Sequence, residues 1–162
     1  MLRALALVLL CHLGLLAQVT VVMLRHAEKA SSRLNAELSP AGRLRAQGLV
    51  PELAAFVPVA LFASDLRRTQ QTLEPLSQRL NLPLRIRERS NPRGLATEIL
   101  SEFKEGTVVV CGHSDTLSGI ARALGYPGWI SEPSGFDDLW ILRLGPDGFQ
   151  ALEVRQQEAR SH

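Results

Sequence analysis

The chain has 162 residues, 46% of them hydrophobic and 21% charged, with a formal net charge of +2. That is one domain's worth of sequence with an ordinary globular balance rather than a disordered one. The charge is too small to single out nucleic acid. Aromatic residues, at 5%, are not interleaved with basic ones as a base-stacking surface would require.

The first seventeen residues stand apart. Met1-Leu2-Arg3 is a short basic start, and Leu5 to Ala17 is apolar except for His12. This is the layout of a secretory signal whose core is too short to span a bilayer. Ala17 suits the position before a cleavage site, although Leu15 is large for the site two residues earlier. Leu5 to Leu24 can instead be counted as a membrane anchor, but that would consume the next strand. A third reading keeps the segment within the fold. The expectation is a cleaved signal over 1–17, a single domain over 18–155 and a flexible tail over 156–162. Such a protein is periplasmic or secreted, with no membrane span after cleavage. Cys11 falls in the signal, so Cys111 is left alone and no intrachain disulfide can form. Three valines precede Cys111, which reads as a small buried hydrophobe.

Val19-Thr20-Val21-Val22-Met23-Leu24 reads as a strand buried on both faces, stopping at Arg25-His26-Ala27-Glu28-Lys29. A polar loop over 30–38 leads to a helix in which Ser39 caps the free amides and Pro40 takes the first turn. It should run to about Phe56 with Leu44, Leu49, Leu53 and Phe56 inward, and Pro51 should interrupt it or end its first segment. Val57–Ala63 is the second strand, followed by Ser64-Asp65-Leu66-Arg67-Arg68-Thr69-Gln70-Gln71-Thr72 and a helix to about Asn81. Leu84–Arg87 is a short strand, Glu88–Gly94 a loop and Leu95–Lys104 a helix. Thr107–Cys111 is a β-branched strand that ends in Gly112-His113-Ser114-Asp115-Thr116, with a helix from Thr116 to Leu124. Leu139–Leu144 and Phe149–Val154 flank Gly145-Pro146-Asp147-Gly148 as a hairpin.

Strands alternating with helices indicate a three-layer α/β/α domain, its central sheet mostly parallel with an antiparallel edge. In such a sheet Arg25-His26, Arg67-Arg68 and His113 all fall on one rim, the place where open sheets present ligands. Two histidines and two arginines around a point describe a pocket for a phosphoryl group. Two converging histidines without helical pair spacing do not make a zinc site, so no metal is expected. A cysteine-based phosphatase fails too, because Leu117 stands where the loop after Cys111 would need an arginine. The chemistry left is nucleophilic attack by the neutral imidazole of His26, with Arg25, Arg68 and His113 holding the equatorial oxygens.

These stretches, with Leu38-Ser39-Pro40-Ala41-Gly42-Arg43, resemble the histidine phosphatase superfamily and its phosphoglycerate-mutase-like fold over about Val19 to Leu144. The short chain and the Arg-His-Ala-Glu-Lys form are similar to the small SixA-like branch. The resemblance implies that His26 becomes phosphorylated and that Arg25 and His113 bind phosphate. It makes Arg68 the second arginine, because the spacing Ser-x-Leu-x-Arg falls on Ser64, Leu66 and Arg68, and leaves Arg67 solvated. Ala27 departs from the glycine usual in the wider superfamily. The implied activity is a metal-independent, cofactor-free phosphatase acting on a phosphorylated small molecule or a phosphohistidine protein.

The proton donor stays open between Glu88, Asp115 and no dedicated acid, the last suiting a good leaving group such as a phosphohistidine. Arg87 and Arg89, flanking Glu88, would lower its pKa rather than raise it. Rival readings are a non-catalytic anion binder of the same fold and a cytoplasmic SixA-type protein phosphatase. The loops over Ala30–Glu37, Ser90–Gly94 and Tyr126–Phe136 should set specificity, and no motif in them names a substrate.

Overall fold

A computed structural model describes residues 17–133 and 135–156. Six strands form one sheet: β1 (Val19–Arg25), β2 (Pro58–Ser64), β3 (Leu84–Arg87), β4 (Gly106–Gly112), β5 (Asp138–Gly145) and β6 (Gly148–Gln156). Their spatial order is β3-β2-β4-β1-β5-β6. The first four are parallel; β5 pairs antiparallel with β1, and the β5–β6 hairpin closes that edge. The helices are α1 (Pro40–Ala54), α2 (Arg67–Leu80), α3 (Pro92–Glu102) and α4 (Ser114–Ala123).

Alternation along the central strands feeds two separate cores. Val21, Met23, Val108 and Val110 face α3 and α4 through Leu95, Ile99, Leu117 and Ile120. Val22, Leu24, Val109 and Cys111 face α1 and α2 through Leu49, Leu53, Leu73 and Leu76. The result is the three-layer α/β/α arrangement with its antiparallel edge. Cys111 is buried, and burial pushes its thiol pKa up, which removes it from thiolate chemistry.

The helices depart from the sequence reading in instructive ways. α1 passes through Pro51 without stopping. Proline removes one backbone bond at a cost of about 3 kcal/mol, which Leu49 and Leu53, buried on either side of it, offset. Leu44, expected inward, is 69% exposed. The inner stripe of α1 is Gly42, Ala46, Leu49 and Leu53, at helical spacing, and Leu44 lies off it. α3 starts three residues early because Asn91 caps it through Gly94 N–H and Pro92 fits its first turn. α4 starts directly after His113. The segment read as a signal lies outside the described residues except for Ala17, as do residues 157–162. Among the described residues no helix is long and apolar enough to cross a membrane.

Gly42 fixes where α1 meets the end of β1. A Cβ built there would sit 2.2 Å from the carbonyl oxygen of Glu28. In the same turn Ser39 donates its N–H to that carbonyl at 2.8 Å and accepts from Gly42 N–H at 3.0 Å. Gly42→Ala should therefore destabilise the domain by about 1–3 kcal/mol, read as a lowered urea midpoint. Gly48→Ala, in the same helix with open space around it, should stabilise the domain by about 0.5–1 kcal/mol, read as a higher urea midpoint.

Candidate active site

The two histidines meet because of strand register. β1 and β4 pair Leu24 with Cys111 and Arg25 with Gly112, so the next residues on each strand, His26 and His113, leave the sheet side by side. A backbone bond from His26 N–H to Gly112 C=O at 3.0 Å extends the pairing by one step. The ring centroids are 5.2 Å apart, and both residues are buried, at 5% and 3% exposure.

The ring nitrogens can be assigned from their partners. Nδ1 of His26 faces the carbonyl of Ala27 at 2.7 Å; a carbonyl only accepts, so Nδ1 carries the hydrogen. In the neutral ring this leaves the lone pair on Nε2. His113 is the reverse. Its Nδ1 faces an Arg68 guanidinium nitrogen at 3.1 Å, which can only donate, so Nε2 bears the hydrogen and donates to Ser64 Oγ at 2.9 Å. Ser64 Oγ then donates to Thr69 Oγ1 at 2.8 Å, and Thr69 donates to Leu66 C=O at 2.8 Å. The start of α2 thus holds the tautomer and plane of His113.

Three arginines surround the pair. Arg68, 7% exposed, enters from the first turn of α2 and also donates to Leu34 C=O. Its neighbour Arg67 turns to solvent and pairs with Glu37 at 2.7 Å. The Arg25 guanidinium lies 4.4 Å from the ring centre of Phe136, a cation–π contact, and Phe136 also covers His26 at 6.1 Å. The third is Arg89, whose charge acts on both Arg68 and His113. Among the described residues, the buried side-chain nitrogens and oxygens without a hydrogen-bond partner are the Nε atoms of Arg25, Arg68 and Arg89.

A supporting layer holds these groups in place. Thr72 Oγ1, on α2, accepts from Ala27 N–H at 3.0 Å and donates to Arg68 C=O at 2.6 Å, linking the turn after His26 to Arg68. Glu28 and Asp137 both pair with Arg45 of α1, which ties the loop bearing Phe136 to the end of β1. The Arg45 guanidinium holds the Glu28 carboxyl below its ordinary range, against the opposing effect of burial.

The structure brings His26, Arg25, Arg68 and His113 together, whereas the two candidate acids stay at the rim. Glu88 is exposed, lines a small cleft with Ser64, Arg89 and Gly112, and its carboxylate has no partner among the described residues; Asp115 is half exposed and ion-paired with Arg89. Among the described residues no carboxylate is hydrogen-bonded to either histidine, and no three His, Cys, Asp or Glu side chains gather as metal ligands. Arg89 and Phe136 were missed by the sequence reading. In the sequence Arg89 figures only as a perturber of Glu88, and Phe136 only as the last residue of the 126–136 loop expected to set specificity.

Burial pushes both imidazoles down, His26 to about 4 and His113 to about 3, and the nearby arginines act in the same direction. Both are neutral at pH 7. In the unfolded chain each would titrate near 6.5, so below that pH the unfolded state binds protons that the native state does not, and stability falls. Between pH 6.5 and 5 the two together should cost about 3 kcal/mol of unfolding free energy, measured by urea titration at constant ionic strength. His26→Gln and His113→Gln should each remove about half of that slope.

Residues 21–95 match the profile of the histidine phosphatase superfamily (branch 1). The chain is similar to an 8-oxo-(d)GTP phosphatase of Mycolicibacterium smegmatis, with 32% identity over 144 residues, covering 77% of this chain. It spans only 44% of that curated relative's length. Its fold is similar to mycobacterial glucosyl-3-phosphoglycerate phosphatase, with a TM-score of 0.67 at 18% identity over 88% of this chain and 99% of that one. It is also similar to the protein histidine phosphatase SixA bound to tungstate, with a TM-score of 0.63 at 18% identity over 85% and 96% of the two chains. At that identity the two structures speak to the fold alone. With motif, profile and curated relative in agreement, the chain belongs to the histidine phosphatase superfamily.

Proposed function

We propose that this chain is a metal-independent phosphatase that works through a phosphohistidine on His26. The observation that carries this reading is the set of three buried arginine Nε donors without partners around two neutral imidazoles. Buried donors without partners are costly, and an incoming tetrahedral anion supplies the missing acceptors. In the first step His26 Nε2 attacks phosphorus while the bond to the leaving group breaks. Arg25 and Arg68 take up charge on the equatorial oxygens. The anion also gives Arg68 an acceptor in place of His113 Nδ1, which is then free to take a proton and donate to the phosphate. In the second step water attacks the phosphohistidine, releasing orthophosphate and restoring the Nε2 lone pair.

With Glu88 exposed and Asp115 held by Arg89, no carboxylate among the described residues is hydrogen-bonded to either imidazole, which leaves an alkoxide without a bound proton donor. This favours leaving groups that depart without one, phosphohistidine and other phosphoramidates first and phosphomonoesters of acidic alcohols after them. The relatives support a phosphoryl pocket without choosing the rest of the substrate, since their names cite 8-oxo-(d)GTP, glucosyl-3-phosphoglycerate and protein histidine. Structures of the second of these enzymes hold VO3 or inorganic phosphate. The segment over 1–17 supports a periplasmic or secreted location. The same lack of an acid favours one rival, a non-catalytic anion binder.

Hydrolysis of a panel containing phosphoramidate, a phosphohistidine peptide, aryl phosphate and alkyl phosphate, with chelator present, tests the reading. Phosphoramidate and the phosphohistidine peptide should turn over fastest and the chelator should not slow them. His26→Ala should lose about three orders of magnitude or more, and Arg68→Gln about two to three. Rapid quenching should trap label on His26 that is stable to alkali and lost in acid. Orthophosphate binding with no labelling of His26 would establish the binder instead.

A further inference from the structure

We propose that the phosphoryl pocket continues into a second anion site, formed by Arg89, Arg93 and Arg122, that takes a further phosphate group of the same substrate. The proposal rests on the phosphatase reading above for the position of the first phosphate. Arg89 is the link between the two sites. Its backbone N–H is fixed by the Asp65 carboxylate at 2.9 Å, one guanidinium arm meets Asp115, and its buried Nε has no partner. It lines a small cleft with Ser64, Gly112 and Thr116, next to His113. Asn91 and Pro92 form part of that cleft and also the wall of an open groove of about 590 Å³ between the starts of α3 and the end of α4.

The groove is lined by Ser90, Asn91, Arg93 and Arg122 among others, and no carboxylate among the described residues lines it. Arg93 and Arg122 are exposed, and neither guanidinium has an ion pair or hydrogen bond among the described residues. Among the described residues Arg43, Arg45, Arg67, Arg85, Arg87, Arg143 and Arg155 all pair with carboxylates, and Arg33 and Arg79, which do not, line neither the cleft nor the groove. Arg93 and Arg122, without partners among the described residues, thus lie beyond Arg89 along a wall that carries one carboxylate, the exposed Glu88 of the cleft. Asp115 neutralises only Arg89, and does so through an exposed contact that a second phosphate can replace. Guanidinium forks suit phosphate and carboxylate alike. The hydroxyl and amide of Ser90 and Asn91 add neutral donors that a tetrahedral group with several free oxygens can use. The substrate class is therefore a compound with two phosphates, a bisphosphate or a polyphosphate.

Calorimetric binding of orthophosphate, tripolyphosphate and phosphonoacetate to the full chain tests this without any turnover. Wild type should bind tripolyphosphate about tenfold more tightly than orthophosphate, and Arg93→Gln/Arg122→Gln should reduce that ratio to about twofold. Arg89→Gln should lower the ratio as well. A ratio near one in wild type, or a ratio that the double variant leaves unchanged, overturns the proposal. An advantage for phosphonoacetate without one for tripolyphosphate overturns the assignment to phosphate. If the ratios behave as stated while no ester or phosphoramidate is hydrolysed, the phosphatase reading fails and the second anion site stands.

Discussion

The site depends on one pairing: Leu24 opposite Cys111 in the parallel ladder of β1 and β4. Side chains alternate with a period of two along a strand, so a slip of one residue would send His26 and His113 to opposite faces. Both strands are near-continuous runs of buried aliphatic residues, which makes slippage costly on either side of the sheet. The register is anchored again beyond the strands by the bond from His26 N–H to Gly112 C=O. Core packing and imidazole placement are therefore the same constraint expressed at two points along the chain.

Around this fixed pair the electrostatics are deliberately unbalanced. Arg25, Arg68 and Arg89 approach two imidazoles that burial keeps neutral, and of the three guanidinium groups only that of Arg89 has a carboxylate partner among the described residues, Asp115. Buried guanidinium Nε donors without acceptors are unfavourable for folding. Natural sequences depart from local consistency of this kind at functional sites. The rest of the domain is ordinary by comparison, with α1 and α3 capped by side chains and two well-filled cores.

Much of this was legible in the chain. The aliphatic runs at 19–24 and 107–111 gave their strands because continuous apolar stretches between turn signals leave few alternatives. The spacing that selected Arg68 over Arg67 agrees with where the side chains point, one buried and one paired with Glu37. Less legible was anything depending on how elements approach one another. Leu44 looked like a core residue because it is a leucine in a helix, yet the close approach of Gly42 to Glu28 rotates another stripe inward. Arg89 is separated from His113 by twenty-three intervening residues and reaches the site only because β3 and β4 both flank β2. Phe136 sits in a loop whose path is set by an ion pair with Arg45, which no local pattern encodes.

That ion pair has a consequence for entry to the site. The aromatic ring over Arg25 and His26 is fastened to the scaffold by Arg45, whose contacts with Glu28 and Asp137 are partly open to water. Exposed electrostatic links weaken as mobile ions accumulate around them, within a screening distance of about 8 Å at physiological salt. The roof of the pocket is thus held by ion pairs that dissolved ions weaken, while the floor is held by aliphatic packing that ions scarcely affect. Ionic strength should loosen the doorway and leave the hearth untouched.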